Sequence, residues 1–150
     1  MRLKEKINED LKTAMKAGDK VRLQTIRSIR ALILEFEKSG TGKEFTPEEE
    51  LKLLTSAAKK RKDSIEQFRN AGRIKLVEAE EKELAILQQY LPKQLNESEI
   101  KEEITKIAES IGAQTIDDFP KLMSEVMKNL KGKADGKIVR SEVEKFLGKN

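Results

Sequence analysis

The chain contains no cysteine, no histidine and no tryptophan. Without cysteine there is no disulfide framework, no thiol nucleophile and no thiolate metal site. Without histidine there is no imidazole base, so Ser-His-Asp and Cys-His catalysis are excluded. The common zinc, haem and iron–sulfur ligand sets are excluded with them. Aromatic residues amount to five Phe and one Tyr, too few for a platform that stacks single-stranded bases. No apolar run approaches the roughly 18 residues of a membrane span, so no membrane partner is expected. Residues 1–6 lack the apolar core of a secretory signal. With no cysteine chemistry either, the expected location is cytoplasmic.

Charged residues are what the chain has in excess. They make up 39% of its 150 residues, well above the roughly 25% of an ordinary globular chain. Glycine and proline total 8 and 3, and almost all of them stand between helical patterns. Leu3, Ile7, Leu11, Ala14 and Met15 share one helical face, and Gly18 ends that helix. Asp19 caps a second, which runs to about Ser39 with Val21, Leu23, Ile26, Ile29, Leu32, Ile33 and Phe36. Thr46-Pro47-Glu48-Glu49 is a start signal, with Thr46 as cap, Pro47 in the first turn and Glu49 completing a capping box. This third helix continues through Leu51, Leu54, Ala58, Ile65 and Phe68 to about Asn70. A fourth runs from about Ile74 to Tyr90.

Leu91-Pro92 is the strongest boundary, because proline restricts the residue before it and cannot continue a helix. Asn96-Glu97-Ser98-Glu99 is a second capping-box start, followed by Ile100, Ile104, Ile107 and Ile111. A sixth helix begins near Asp117 and ends at Gly132, and a seventh begins at Gly136. No stretch alternates as a strand does. The expected fold is all-α: an N-terminal four-helix domain over residues 1–91 and a C-terminal three-helix bundle over residues 92–150.

The net charge of +4 lies in the N-terminal part, where residues 1–91 hold 20 basic and 16 acidic side chains. Residues 92–150 hold 11 of each. A basic block, Lys59, Lys60, Arg61, Lys62, Arg69 and Arg73, directly precedes the acidic run Glu78, Glu80, Glu81 and Glu83. A second group comprises Lys128, Lys131, Lys133, Lys137 and Arg140. Clustered cations bind phosphate backbones by releasing counterions, whereas charge runs on helices also serve as solvated faces.

The most unusual local sequence is Lys131-Gly132-Lys133-Ala134-Asp135-Gly136-Lys137. Gly132 suits the left-handed residue that closes a helix. Asp135 suits a cap, with Gly136 as the first residue of the last helix. The N-terminus of that helix, beside three lysines, is a candidate anion site. The plain alternative is a helix corner with solubilising lysines. It is not a Walker A loop, which needs four residues between its glycines and Ser or Thr after the lysine. The paired glutamates lie side by side on helices and do not face each other. No catalytic, metal or cofactor residue is assigned.

Three segments carry a resemblance. Residues 60–73, read as KRKDSIEQF followed by AGR, residues 83–95, read as ELAIL followed by YLPKQL, and residues 126–136, read as VMKNLKGKADG, resemble signatures of the GatB/YqeY family. The chain looks like a stand-alone YqeY-like protein over nearly its whole length. The resemblance implies that the C-terminal part is similar to the tail domain of the B subunit of glutamine-dependent tRNA amidotransferase. That enzyme turns mischarged Glu-tRNA or Asp-tRNA into Gln-tRNA or Asn-tRNA, and its tail is a helical module that helps hold tRNA. A carbon–nitrogen ligase activity with glutamine as donor travels with the family, but the residues give it no local support. The function expected is therefore a non-catalytic accessory protein of translation that binds tRNA or another structured RNA. Lys128, Lys131, Gly132, Lys133, Gly136, Lys137 and Arg140 are the candidate contacts. Lys59, Lys60, Arg61, Lys62, Arg69 and Arg73 form a secondary patch. The competing expectation is a helical adaptor that binds a protein through residues 1–91.

Overall fold

A computed structural model describes residues 2–148. All of its regular structure is helical among the described residues: α1 (Leu3–Ala17), α2 (Lys20–Lys38), α3 (Pro47–Asn70), α4 (Ile74–Gln88), α5 (Glu97–Ile111), α6 (Phe119–Leu130) and α7 (Gly136–Gly148). One turn of 3₁₀ helix, Ile116–Asp118, precedes α6. The chain divides into two compact units, Met1–Leu91 and Pro92–Asn150.

The helix starts follow from their caps. The Asp19 carboxylate accepts from the Arg22 N–H at 3.1 Å, and the Thr46 hydroxyl accepts from the Glu49 N–H at 3.2 Å. A complete capping box forms at Asn96: its side chain accepts from the Glu99 N–H at 2.8 Å. Glu99 in turn accepts from the Asn96 N–H at 3.0 Å. That bond, with help from Lys93, holds the Glu99 carboxyl below its ordinary pKa. At Thr46 only the first half of the expected box is formed, and the Glu49 carboxylate lies 3.7 Å from Lys52 instead.

Two boundaries differ from the pattern reading. The fourth helix stops at Gln88 rather than Tyr90, because Tyr90 and Leu91 donate to Leu87 and Gln88 three residues back, both at 3.1 Å. This tighter turn delivers the chain to Pro92. The sixth helix starts at Phe119 rather than near Asp117. The Asp118 carboxylate accepts from the Gln114 N–H at 2.8 Å and the Thr115 N–H at 3.1 Å, which winds the preceding residues into the 3₁₀ turn. These two bonds also lower the Asp118 pKa.

In the first unit α1 packs along α2, α2 along α4 and α4 along α3, whereas α2 and α3 meet over a short stretch. Its core comprises Leu3, Ile7, Ala14, Ile26, Ile29, Ile33, Leu54, Ala58 and Leu87. Met15 and Val21, expected in the stripe, are 56% and 38% exposed. Both sit at the junction of α1 and α2, beyond the edge of the buried face. Thr25 is fully buried, and its hydroxyl is satisfied by the Val21 carbonyl at 2.9 Å. Tyr90 donates its hydroxyl to Asp10 and lies under Lys6. Burial first, and then Asp10, push the Tyr90 phenol well above its ordinary pKa.

In the second unit α5, α6 and α7 pack on one another. Ile100, Ile104 and Ala108 of α5 meet Leu122, Val126 and Leu130 of α6 and Val139, Val143 and Leu147 of α7. Each fully buried Leu or Ile stabilises by roughly 1.5–3 kcal/mol relative to exposure.

Candidate nucleic-acid interface

The segment joining α6 to α7 is built from both sides. Gly132 carries φ of 78°, a conformation costly for any residue with a Cβ. The Lys133 N–H donates back to the Leu130 carbonyl at 2.9 Å. From the start of the same unit, the Gln94 amide donates to the Gly132 carbonyl at 2.7 Å and to the Pro92 carbonyl at 2.8 Å. The Leu95 N–H donates to the Lys133 carbonyl at 2.8 Å. The loop backbone is thus pinned, and Gly132 is buried while Lys131, Lys133 and Lys137 stand exposed on it. Sequence patterning did not single out Gln94 for this work, because it lies between helices where periodicity carries no signal.

Asp135 caps α7, with the Lys137 N–H donating to its carboxylate at 2.9 Å. This changes the expected anion site. The carboxylate occupies one of the N–H groups that a phosphate needs, and its charge already complements the helix dipole. Any anion held here is held by lysine side chains. Gly136, in turn, has room for a side chain: an added Cβ meets only the Met127 terminal carbon at 3.8 Å.

The flanking candidates are committed differently. Lys128 lies 3.4 Å from the Glu125 carboxylate. Arg140 lies 3.2 Å from Glu144, with its guanidinium over the Phe119 ring at 5.6 Å. Among the described residues, no carboxylate pairs with Lys133 or Lys137. Lys137 lines a shallow groove between α5 and α7 that also contains Lys145 and the buried Glu142. Lys145 and Lys101 flank the Glu142 carboxylate at 3.5 and 3.9 Å. These two lysines adjoin the candidate face and were not read from the sequence.

The secondary patch is dispersed. Arg61 is largely covered and joins three helices, with its guanidinium paired to Glu83 and, at 3.3 Å, to Glu80. It also donates to the Ser28 hydroxyl at 3.2 Å. Arg69 pairs with Glu81 at 2.8 Å. Because α4 folds back along α3, the acidic run meets the basic one. Lys59, Lys60 and Arg73 remain exposed, and Lys62 is half-buried.

No helix of the described residues is long and apolar enough to cross a membrane. Among them, no group of three or more acidic side chains is placed to hold a metal ion.

Comparison with known proteins gives one family match. A family model described as "Yqey-like protein" matches residues 4–147. A relative from Pyrenophora tritici-repentis, named "Altered inheritance of mitochondria protein 41, mitochondrial", is 35% identical over 150 residues, covering 95% of this chain and 80% of its own length. A protein of the same name from Lachancea thermotolerans is 39% identical over 85 residues, 57% of this chain and 46% of the relative. An uncharacterized protein of Schizosaccharomyces pombe is 35% identical over 86 residues, 57% of this chain and 69% of its own. Two of these relatives are named as mitochondrial, which overturns the cytoplasmic expectation. That expectation rested on the absence of cysteine and on the composition of residues 1–6, and these do not separate one reducing compartment from another.

Proposed function

The chain belongs to the YqeY-like family, and on that premise we propose that it is a non-catalytic accessory protein that holds tRNA or another structured RNA. The C-terminal unit is the part that does so, as a counterpart of the amidotransferase tail. The observation that supports this is the pinned loop, which carries Lys131, Lys133 and Lys137 into solvent on a backbone fixed by Gln94 and Leu95. Ordering the loop in advance lowers the entropy cost of binding. Lysines present point charges rather than bidentate forks, so they read phosphate position and not base identity. Recognition is then by backbone and helix shape. Lys128 and Arg140 act from the rim, after exchanging their carboxylate partners for phosphate.

The test is tRNA binding across a salt series, with a Lys131/Lys133/Lys137 triple-alanine variant alongside. The expected result is binding that weakens with salt, and a slope shallower by about 2–3 in the variant. Unchanged affinity and slope overturn the assignment.

A second reading, a helical adaptor acting through the N-terminal unit, is favoured by one feature: an open apolar groove between α2 and α3. Partners that survive RNase treatment of an extract favour it over the RNA reading. A glutamine-dependent ligase is the reading with least support. Glutamine, ATP and mischarged tRNA are expected to give no amide product with this chain alone, and product formation overturns the non-catalytic proposal.

A further inference from the structure

The groove in the N-terminal unit runs between two helix faces, those of α2 and α3. Its α2 wall presents Ser28, Leu32, Glu35, Phe36 and Ser39, and its α3 wall presents Glu49, Lys52, Leu53, Ser56, Ala57 and Lys60. On both walls the residues recur at three- and four-residue spacing, the stripe of a single helical face. The α3 wall spans twelve residues, which at the helical rise is about 18 Å, or three turns. Leu87 of α4 lies at the base beside Ile29, and both are 1% exposed. The open groove has a volume of about 620 Å³. It exists because α2 and α3 each pack on α4 and scarcely on each other. Small residues, Ser28, Ser56 and Ala57, keep it open.

The charges on its rim select the class of occupant. Arg61 is neutralised by Glu80 and Glu83, and Lys52 lies near Glu48 and Glu49. What remains is one exposed charge of each sign, Glu35 on the α2 wall and Lys60 on the α3 wall, neither with an ion partner among the described residues. A phosphate polymer requires a surface of one sign. A rim of both signs suits a polypeptide with both signs. A second copy of this chain does not supply the insert from its described helices: the exposed large hydrophobics are scattered as Met15, Val21, Leu34, Ile74, Leu76, Ile116, Ile138 and Phe146. No described helix carries three of them at the spacing an insert needs.

We infer that the α2/α3 groove receives one three-turn amphipathic helix of a partner protein, seated by an apolar i, i+3/i+4, i+7 stripe. That helix carries a basic residue on its α2-facing edge and an acidic one on its α3-facing edge. This rests on the adaptor reading alone, and RNA binding by the C-terminal unit can fail without affecting it.

The probe is a display library of 14-residue helical peptides with leucine at the stripe positions and randomised edges, selected against the full chain. The enriched peptides are expected to carry a basic edge and an acidic edge. Ser56→Phe, at an exposed position, fills the groove and should weaken them about tenfold or more, the effect expected of a blocked anchor site. The melting temperature and tRNA binding of this variant should stay unchanged. Lys60→Glu should weaken them by a few-fold, and a peptide with lysine on its acidic edge should restore the loss. Failure to enrich, equal binding to Ser56→Phe, or no response of Lys60→Glu to the reversed edge overturns the inference. A dimer of the chain that Ser56→Phe dissociates also overturns it, and assigns the groove to a second copy.

Discussion

Residues 59–75 and 128–140 are the two most basic stretches of the chain, and they meet different fates. In the first, Arg61 and Arg69 sit on a helix whose neighbour returns antiparallel with Glu80, Glu81 and Glu83. These two guanidinium charges are balanced, and Arg61 becomes a clamp on α2, α3 and α4. In the second, Lys133 and Lys137 stand exposed on a loop held by backbone and amide hydrogen bonds, and no carboxylate pairs with either of them among the described residues. The difference teaches that packing decides, cation by cation, which members of a basic block are balanced: a returning acidic helix takes up Arg61 and Arg69, whereas the α6–α7 loop holds Lys133 and Lys137 in solvent. Comparable net charge in the sequence becomes structure in one unit and a candidate interface in the other.

The largest effects should separate the units by the size of their cores. Leu122→Ala removes a fully buried side chain and should cost about 3 kcal/mol, a large part of the stability of so small a unit. Ile26→Ala should cost a similar amount and leave the larger N-terminal unit folded. Denaturant unfolding read by amide exchange within each unit checks this, and equal loss of protection in both breaks the contrast. Next in size, Arg61→Ala should cost about 2 kcal/mol, because two partly buried glutamates lose their cation. Lys133→Ala should change stability by less than about 0.5 kcal/mol. If the two match, the division into clamp and surface is wrong.

The units should also differ at the two ends of the pH scale. Glu99 and Asp118 have lowered pKa values in the folded C-terminal unit. Their contribution is therefore present above the ordinary carboxylate range and is lost as the pH falls below about 4. Tyr90 has a raised pKa in the folded N-terminal unit. Its contribution is present below about pH 10 and is lost as the pH rises further. Thermal melts of the wild type against Asp118→Asn in acid, and against Tyr90→Phe in alkali, should each narrow one limb only. The smallest effects test the backbone and one orphan. Thr55 has a buried hydroxyl with no partner among the described residues, so Thr55→Val should be neutral or stabilise by up to about 1 kcal/mol. Gly136→Ala should be tolerated, whereas Gly132→Ala should cost about 1 kcal/mol for its left-handed backbone.

Much of the fold was legible because helices announce themselves locally. Asp19, Thr46, Asn96 and Asp135 act as caps through their own next turn, and the isoleucines of α5 fall on one face whatever they pack against. The boundaries that shifted, at Tyr90 and Asp117, are those where a nearby carboxylate or proline decides between α and 3₁₀ turns. The candidate site was legible only in part. Lys131, Lys133 and Lys137 were visible as a cluster, but Gln94 became an anchor only when the chain brought it 38 residues back to Gly132. Lys101 and Lys145 joined the face through the packing of α5 on α7.

The sequence by itself determined the all-helical class, the caps and the chemistry that is missing, since these depend on residue type and on spacing within a few turns. Tertiary structure decided which charges are cancelled, which carboxylate closes the start of α7 and where a groove is left between α2 and α3. Those outcomes depend on which helices become neighbours, and pairing across tens of residues is set by the burial of whole faces rather than by any local pattern.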